Sequence, residues 1–342
     1  MKKYKTFSGQ RSFFGDQKKL DKLESLGDKL LRLKQNVNWE IFRPLLEKHL
    51  YHVNEQGGPP PYDYILMIKI LILQRYYNLS DFQIEFQLND RLSFQRFLDI
   101  GIDDDIPDES TISHFKEQLA AYNLMKPLFK LFLKEIRDKG IIGKKGRIID
   151  ASFVDVPRQR NTKEENEKIK EGATPENWNN PYQIAQKDMD ARWTKKNKEI
   201  HFGYKNHIKA DAESKIILDY QTTAANVHDS QVLPELLDEN DKGKKLYADA
   251  AYKSEETDEL LKEKGIKNCI HERAYRNAPL SVKQMESNRK KSSIRVRIEH
   301  IFGFIENSLK GSFIRSIGKE MAEVNIGLMN LTYNIFRVMQ TG

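Results

Sequence analysis

The stretch Arg147-Ile-Ile-Asp-Ala-Ser-Phe-Val-Asp-Val-Pro157 decides how this chain is read. It is β-branched and apolar, bounded by Gly146 and Pro157, and reads as a buried strand. Asp150 stands in its middle. A carboxylate inside an apolar strand costs free energy unless it is paired, so Asp150 calls for a partner. Downstream, residues 204–210 and 215–223 read as strands flanking the turn Asp211-Ala-Glu-Ser214. A helix over 229–239, a strand over 244–249, a helix over 254–264 and a strand over 266–271 follow. Two long helices, about 283–309 and 319–339, close the order. Three strands followed by alternating helices and strands give an α/β domain with a mixed sheet and helices on both faces. The polar segment near 158–200, with Asn177-Trp-Asn-Asn-Pro181, reads as a long excursion from that sheet.

Upstream, residues 18–140 read as helices. Trp39, Ile41, Phe42, Leu45 and Leu46 recur at helical spacing, and Gly57-Gly-Pro-Pro-Pro-Tyr62 breaks the chain before an apolar helix over 63–77. Ser80-Asp-Phe-Gln83 has the form of a capping box. A short element over 90–98 and the acidic turn Asp103-Asp-Asp-Ile-Pro-Asp108 precede a polar helix capped by Ser110 or Thr111. Short helices joined by tight turns fit a helix-turn-helix reader of DNA, and fit a plain helical bundle as well. The expected division is a helical domain over 1–140 and an α/β domain over 141–342.

Composition narrows the function classes. The 342 residues are 39% hydrophobic and 31% charged, which supplies a core and excludes disorder throughout. One cysteine, Cys269, excludes an internal disulfide and a multi-cysteine zinc site, and fits a reducing compartment. The start at Met1 lacks the apolar core of a signal peptide, and the apolar run 65–73 is short and holds Lys69, so a cytoplasmic protein is expected. Net charge is +7. Residues 1–140 hold 22 basic and 20 acidic residues, which leaves +5 for the rest. Residues 283–297 alone carry Lys283, Arg289, Lys290, Lys291, Arg295 and Arg297 against Glu286, again +5. Such a run is a solvated helix face or a polyanion contact, according to what lies beside it.

Two further acids stand in unusual places. Asp249 ends the strand Leu246-Tyr-Ala-Asp, at the carboxyl edge where α/β sheets place ligands. Glu299 lies beside the helical stripe Ile294, Ile298, Ile301, Phe302, Ile305 and Leu309. Brought together, Asp150, Asp249 and Glu299 form a hard-oxygen set suited to Mg²⁺, with Mn²⁺ able to substitute. Each taken singly reads as a cap or turn residue. Asp155, five residues after Asp150, faces the other side of the sheet. Asp211 is a turn former, His228-Asp229 an N-cap, and Cys269-Ile-His271 too sparse for zinc. Nucleotide-binding glycine loops and serine-hydrolase elbows are missing from the sequence.

At these residues the chain resembles a DDE transposase of a bacterial insertion sequence, of the family named after insertion sequence five. The blocks that carry the likeness run in order through nearly the whole length. They are Pro59-Pro-Pro-Tyr-Asp-Tyr, Asn78-Leu-Ser-Asp, Asp90-Arg-Leu-Ser-Phe and Pro107-Asp-Glu-Ser-Thr-Ile-Ser in the helical part. In the second part they are Ile149-Asp-Ala-Ser, Gly203-Tyr-Lys-Asn-His-Ile, Ala225-Asn-Val-His-Asp, Ala248-Asp-Ala-Ala-Tyr and Arg295-Val-Arg-Ile-Glu-His-Ile-Phe. The resemblance implies a ribonuclease-H-like catalytic fold with Asp150, Asp249 and Glu299 as the acid triad and metal ligands. It implies an enzyme of the bacterial nucleoid that cuts at terminal inverted repeats and joins the 3′-hydroxyls to target DNA, as a homodimer on double-stranded DNA. A nuclease that only cuts, or a domesticated DNA-binding protein, would share the same blocks. Phosphate contacts are expected from Lys283, Arg289, Lys290, Lys291, Arg295 and Arg297. The sequence departs from the family pattern at two positions: Ser292 replaces a tyrosine and Glu306 a lysine. Lys310, one turn on, or the basic run before Arg295, is the expected substitute for that lysine.

Overall fold

The computed structural model describes residues 15–51, 60–101, 103–196, 198–274 and 279–341. The amino-terminal start and the glycine–proline run at 57–59 lie outside the described residues.

Among the described residues eight α-helices come first: α1 (Gly15–Ser25), α2 (Lys29–Asn36), α3 (Arg43–Leu50), α4 (Tyr64–Tyr77), α5 (Asp81–Asp90), α6 (Leu92–Leu98), α7 (Glu109–Ala121) and α8 (Met125–Asp138). The α4 helix is apolar all round and buried through most of its length, as its sequence requires. Ser80 and Gln83 form the expected capping box of α5. The cap of α7 is Asp108, whose carboxylate accepts from Thr111 N, and not Ser110 or Thr111. An aspartate two residues before Ser110 outcompetes a hydroxyl because a charged acceptor also meets the positive end of the helix.

The sheet is built from β1 (Gly146–Asp155), β2 (Arg192–Lys196), β3 (Glu199–Asp211), β4 (Ile217–Ala224), β5 (Lys245–Tyr247) and β6 (Lys267–Asn268). β1 pairs antiparallel with β3 and parallel with β5, and β5 pairs parallel with β6, so the sheet is mixed as expected. One edge of β3 is shared: its first five residues pair with β2 and its remainder with β4. Gly203 sits at that junction with φ +149°, where a Cβ would lie 2.4 Å from Val154 O, so glycine is required. Two short helices, α9 (Lys163–Lys170) and α10 (Pro181–Ala185), precede β2. The polar excursion is therefore ordered: Trp178 is buried and donates to Glu165, and Asp188 accepts from the buried Tyr204 hydroxyl.

On one face of the sheet lie α11 (Leu233–Leu236) and α12 (Glu255–Glu263), covering Ile149 and Leu246. The helix expected over 229–239 is only a 3₁₀ turn and one α turn, Pro234 standing at its start. On the other face lie α13 (Val282–Gly303), extended by a π-helical turn over Phe304–Ser308, and α14 (Lys319–Thr341). The α14 helix is fastened to the sheet by reciprocal amide bonds between Asn330 and Asn206, and by Asn334, which pairs with the backbone of Ile217. It also reaches the helical part, where Phe336 stacks on Tyr76 at 3.8 Å between ring centres. A single apolar cluster runs from Leu30 to Phe336 across the 140/141 boundary. Among the described residues no helix is long and apolar enough to cross a membrane.

Candidate active site

The rung Ile148–Tyr247 is the last that pairs β1 with β5. Asp150 and Asp249 each lie two residues beyond it on neighbouring parallel strands, which brings both to the same point of the sheet edge. Asp249 is past the end of β5, not within it, and its carboxylate accepts from Ala251 N at 2.9 Å, capping the turn Ala250–Tyr252. The Asp150 carboxylate is largely enclosed and accepts from Ala151 N and from Arg295 Nη1, both at 2.9 Å. Burial pushes its pKa up to about 6, and the neighbouring charge of Asp249 adds to this, while the Ala151 N–H, Arg295 and Lys196 act against it.

Arg295 enters from α13 and reaches two of the three acids. One guanidinium nitrogen holds Asp150, and the other is 3.7 Å from Glu299, which is exposed on the next turn of the helix. The Arg295 Nε is buried and has no hydrogen-bond partner among the described residues. The structure thus brings Asp150 and Asp249 together and holds Glu299 one arginine side chain away. Among the described residues, no three carboxylate, imidazole or thiolate groups converge closely enough to share an ion.

Several neighbours were not singled out by sequence. Lys205 reaches from β3 to Asp229 at 2.7 Å. The buried Tyr252 hydroxyl has no hydrogen-bond partner among the described residues, and its pKa is raised well above the usual value by burial and then by Asp229, Asp150 and Asp249. Lys205, His207, Lys209 and Asp211 alternate along the second part of β3. That period-two stripe of ionisable residues was the signal available in the sequence. His271 flanks Asp249: its N–H donates to Ala248 O, and its ring meets the Ser292 hydroxyl at 3.3 Å.

The competing acids have structural partners. Asp155 faces the other side of β1 from Asp150, as expected, and contacts His201 at 3.2 Å. Asp211 caps its turn and pairs with Arg147 at 2.8 Å. The His228 ring caps the following 3₁₀ turn. Glu306 accepts from Ser152 Oγ at 2.7 Å in a cleft of about 390 Å³ that Lys196, His201 and Asp155 also line.

The basic residues separate into two groups. Lys283, Arg289 and Lys290 are exposed along α13. Lys291 instead donates to Ile270 O at 2.7 Å, Arg297 donates to Ala212 O, and Arg295 is held at Asp150. Lys310 is exposed but does not continue the helix face as expected. The helix has ended before it, and its φ is +51°.

Among solved structures, the chain aligns with a cryo-EM structure of a piggyBac transposase synaptic complex with hairpin DNA. Identity is 10%, over 92% of this chain and 74% of that one, with a TM-score of 0.44. The family model described as "Transposase domain (DUF772)" matches residues 18–118, and the one described as "Transposase DDE domain" matches residues 142–335. The second match alone spans more than half of the chain, and the two follow one another across both the helical part and the sheet. The chain therefore belongs to the DDE transposase family.

Proposed function

We propose that this transposase cuts phosphodiester bonds at the ends of an insertion sequence and joins the freed 3′-hydroxyls to target DNA, with Asp150, Asp249 and Glu299 as its acid triad. The observation that carries the reading is the convergence of Asp150 and Asp249, each two residues past the last rung between β1 and β5, with the Asp150 pKa pushed up to about 6. Asp150 is largely enclosed beside a second carboxylate, and a carboxyl perturbed in this way is a mark of a functional site. The donor set fits a hard divalent cation, since all three groups are carboxylates and Arg295 now supplies the charge between two of them. When bound, Mg²⁺ or Mn²⁺ supplies activation of the attacking oxygen and charge neutralisation at the leaving oxygen.

The chain's own residues do the rest. Arg295 holds Asp150 and Glu299 in register until its guanidinium is displaced. Lys205 neutralises Asp229, so that a third aspartate near the pair adds little repulsion. Lys283, Arg289 and Lys290 face outward to take DNA phosphates, giving salt-sensitive binding. Lys196, in the cleft with Glu306, stands in for the missing family lysine. The helical part over 1–140 recognises the terminal repeats, the part over 141–342 is the ribonuclease-H-like catalytic unit, and two copies pair across two ends.

The test is cleavage of a duplex carrying the element's ends, with Mg²⁺. Glu299→Gln abolishes cutting while folding and DNA binding persist; Glu306→Gln retains it. Activity surviving in the first and lost in the second would overturn the triad. Strand transfer by the wild type separates this reading from a nuclease that only cuts.

A further inference from the structure

The turn that Asp249 caps carries a second polar group with no task in the fold. Ala250–Tyr252 is a 3₁₀ turn, with three residues to the turn, so its cap Asp249 and Tyr252, at i and i+3, lie on the same side of it. The Tyr252 ring is fully buried in the apolar cluster that also holds Ile149, Leu246 and Ala248. Packing there asks only for a phenylalanine. The hydroxyl is buried with the ring and has no hydrogen-bond partner among the described residues, although most buried polar side-chain atoms in folded proteins are bonded. Burial, and then the charges of Asp229, Asp150 and Asp249, keep it protonated, so it is a donor among carboxylates.

Two of those three carboxylates are already held by cations. Lys205 reaches Asp229 at 2.7 Å, and Arg295 reaches Asp150 at 2.9 Å. Arg295 also approaches Glu299. Asp249 is the acid left over: among the described residues its carboxylate has no cation partner and one hydrogen bond, from Ala251 N to Oδ1. We infer that Tyr252 is a positioning residue, whose hydroxyl donates to Asp249 and fixes that carboxylate while the acids hold a divalent cation. Forming the bond requires the Asp249 side chain to turn from its capping geometry, which a single N–H contact leaves it able to do. A carboxylate offers about four lone-pair sites, so a hydroxyl donor leaves room for a metal. Bonds of this kind orient metal-binding carboxylates, and losing one typically weakens metal binding by about 10–100-fold.

This inference rests on the place of Asp249 in the acid triad of the proposed function, and the experiment separates the two. Full-length wild type and Tyr252→Phe are melted over a range of Mg²⁺ and of Mn²⁺ without DNA, and cutting of the end duplex is titrated with Mg²⁺. Phenylalanine keeps the ring and removes only an unbonded hydroxyl, so the metal-free melting temperature should be equal or higher. The metal concentration that gives half of the melting shift, and the one for half-maximal cutting, should rise by roughly 10-fold or more. A packing role alone would leave both unchanged, and an unchanged metal requirement overturns the inference. A lower metal-free melting temperature also overturns it, because the hydroxyl would already be bonded in the metal-free fold. The rise should persist in an Asp229→Asn background; its loss there would assign the hydroxyl to Asp229 and overturn the assignment to Asp249. Wild type that neither shifts nor cuts with either metal would defeat the triad itself.

Discussion

Asp150 and Asp249 occupy matching positions, each two residues past the rung that joins Ile148 to Tyr247, so they stand at the same height, Asp150 within β1 and Asp249 just past the end of β5. Keeping Asp150 ionised there at neutral pH, against a pKa of about 6, costs roughly 1–3 kcal/mol. Asp150→Asn should therefore abolish end cleavage and raise the melting temperature of the metal-free protein by several degrees. A fall in melting temperature would mean that the pair is not electrostatically strained.

Arg295 substitutes for a cation between Asp150 and Glu299. Arg295→Gln should destabilise the metal-free protein by about 1–3 kcal/mol, because a largely buried carboxylate loses its charged donor. Added Mg²⁺ should then raise the melting temperature more in the variant than in wild type. Equal responses would show that the arginine does not compete for the acids.

His207 gives a pH signature. The ring is fully buried, bonded to Thr223 at 2.9 Å, and faces Asp229 and Lys205. Burial lowers its pKa to about 4; Asp229 opposes the shift and Lys205 adds to it. With the folded value below the unfolded one, the unfolded chain takes up the proton first. Stability from this group is lost as pH falls from about 6.5 to about 4, by up to about 3 kcal/mol. Asp150 acts in the opposite sense over part of this window, so the readout is the difference between wild type and His207→Gln in urea unfolding at pH 7.5 and 5. That difference should narrow or reverse at the lower pH.

Arg147, Asp211, Asp241 and Lys209 form a buried charge network, with contacts of 2.8 Å for Arg147–Asp211, 3.1 Å for Arg147–Asp241 and 2.7 Å for Lys209–Asp241. Asp241→Asn leaves two cations short of a partner and should cost about 3–5 kcal/mol in chemical denaturation. DNA affinity per folded molecule should stay as in wild type.

The exposed and tethered cations of α13 should behave differently. Arg289→Ala with Lys290→Ala should reduce the salt slope of DNA binding by about two units, for any sequence. Lys291→Ala should mainly lower the melting temperature, because its ammonium anchors Ile270 O.

Local chemistry was legible where one residue or one period decides it. The alternation of β1 placed Asp155 opposite Asp150, and Ser80 with Gln83 announced the start of α5. β2 was not legible: Arg192-Trp-Thr-Lys-Lys has no apolar alternation, and becomes a strand only because the exposed start of β3 pairs with it. The link from Arg295 to Asp150 spans 145 positions, and a helical period says only that an arginine lies on a given flank. The same limit hid the pair of Lys205 and Asp229. Lys310 was misplaced because the π-helical turn ends the helix before it.

The α14 helix imposes an order on synthesis. It carries the asparagines that grip the sheet and the phenylalanine that grips α4, yet it leaves the ribosome after everything it fastens. Nascent chains therefore carry the basic stretch of α13 and all three acids before the two halves are locked together. Docking of the two halves through this helix therefore waits until translation has passed residue 336.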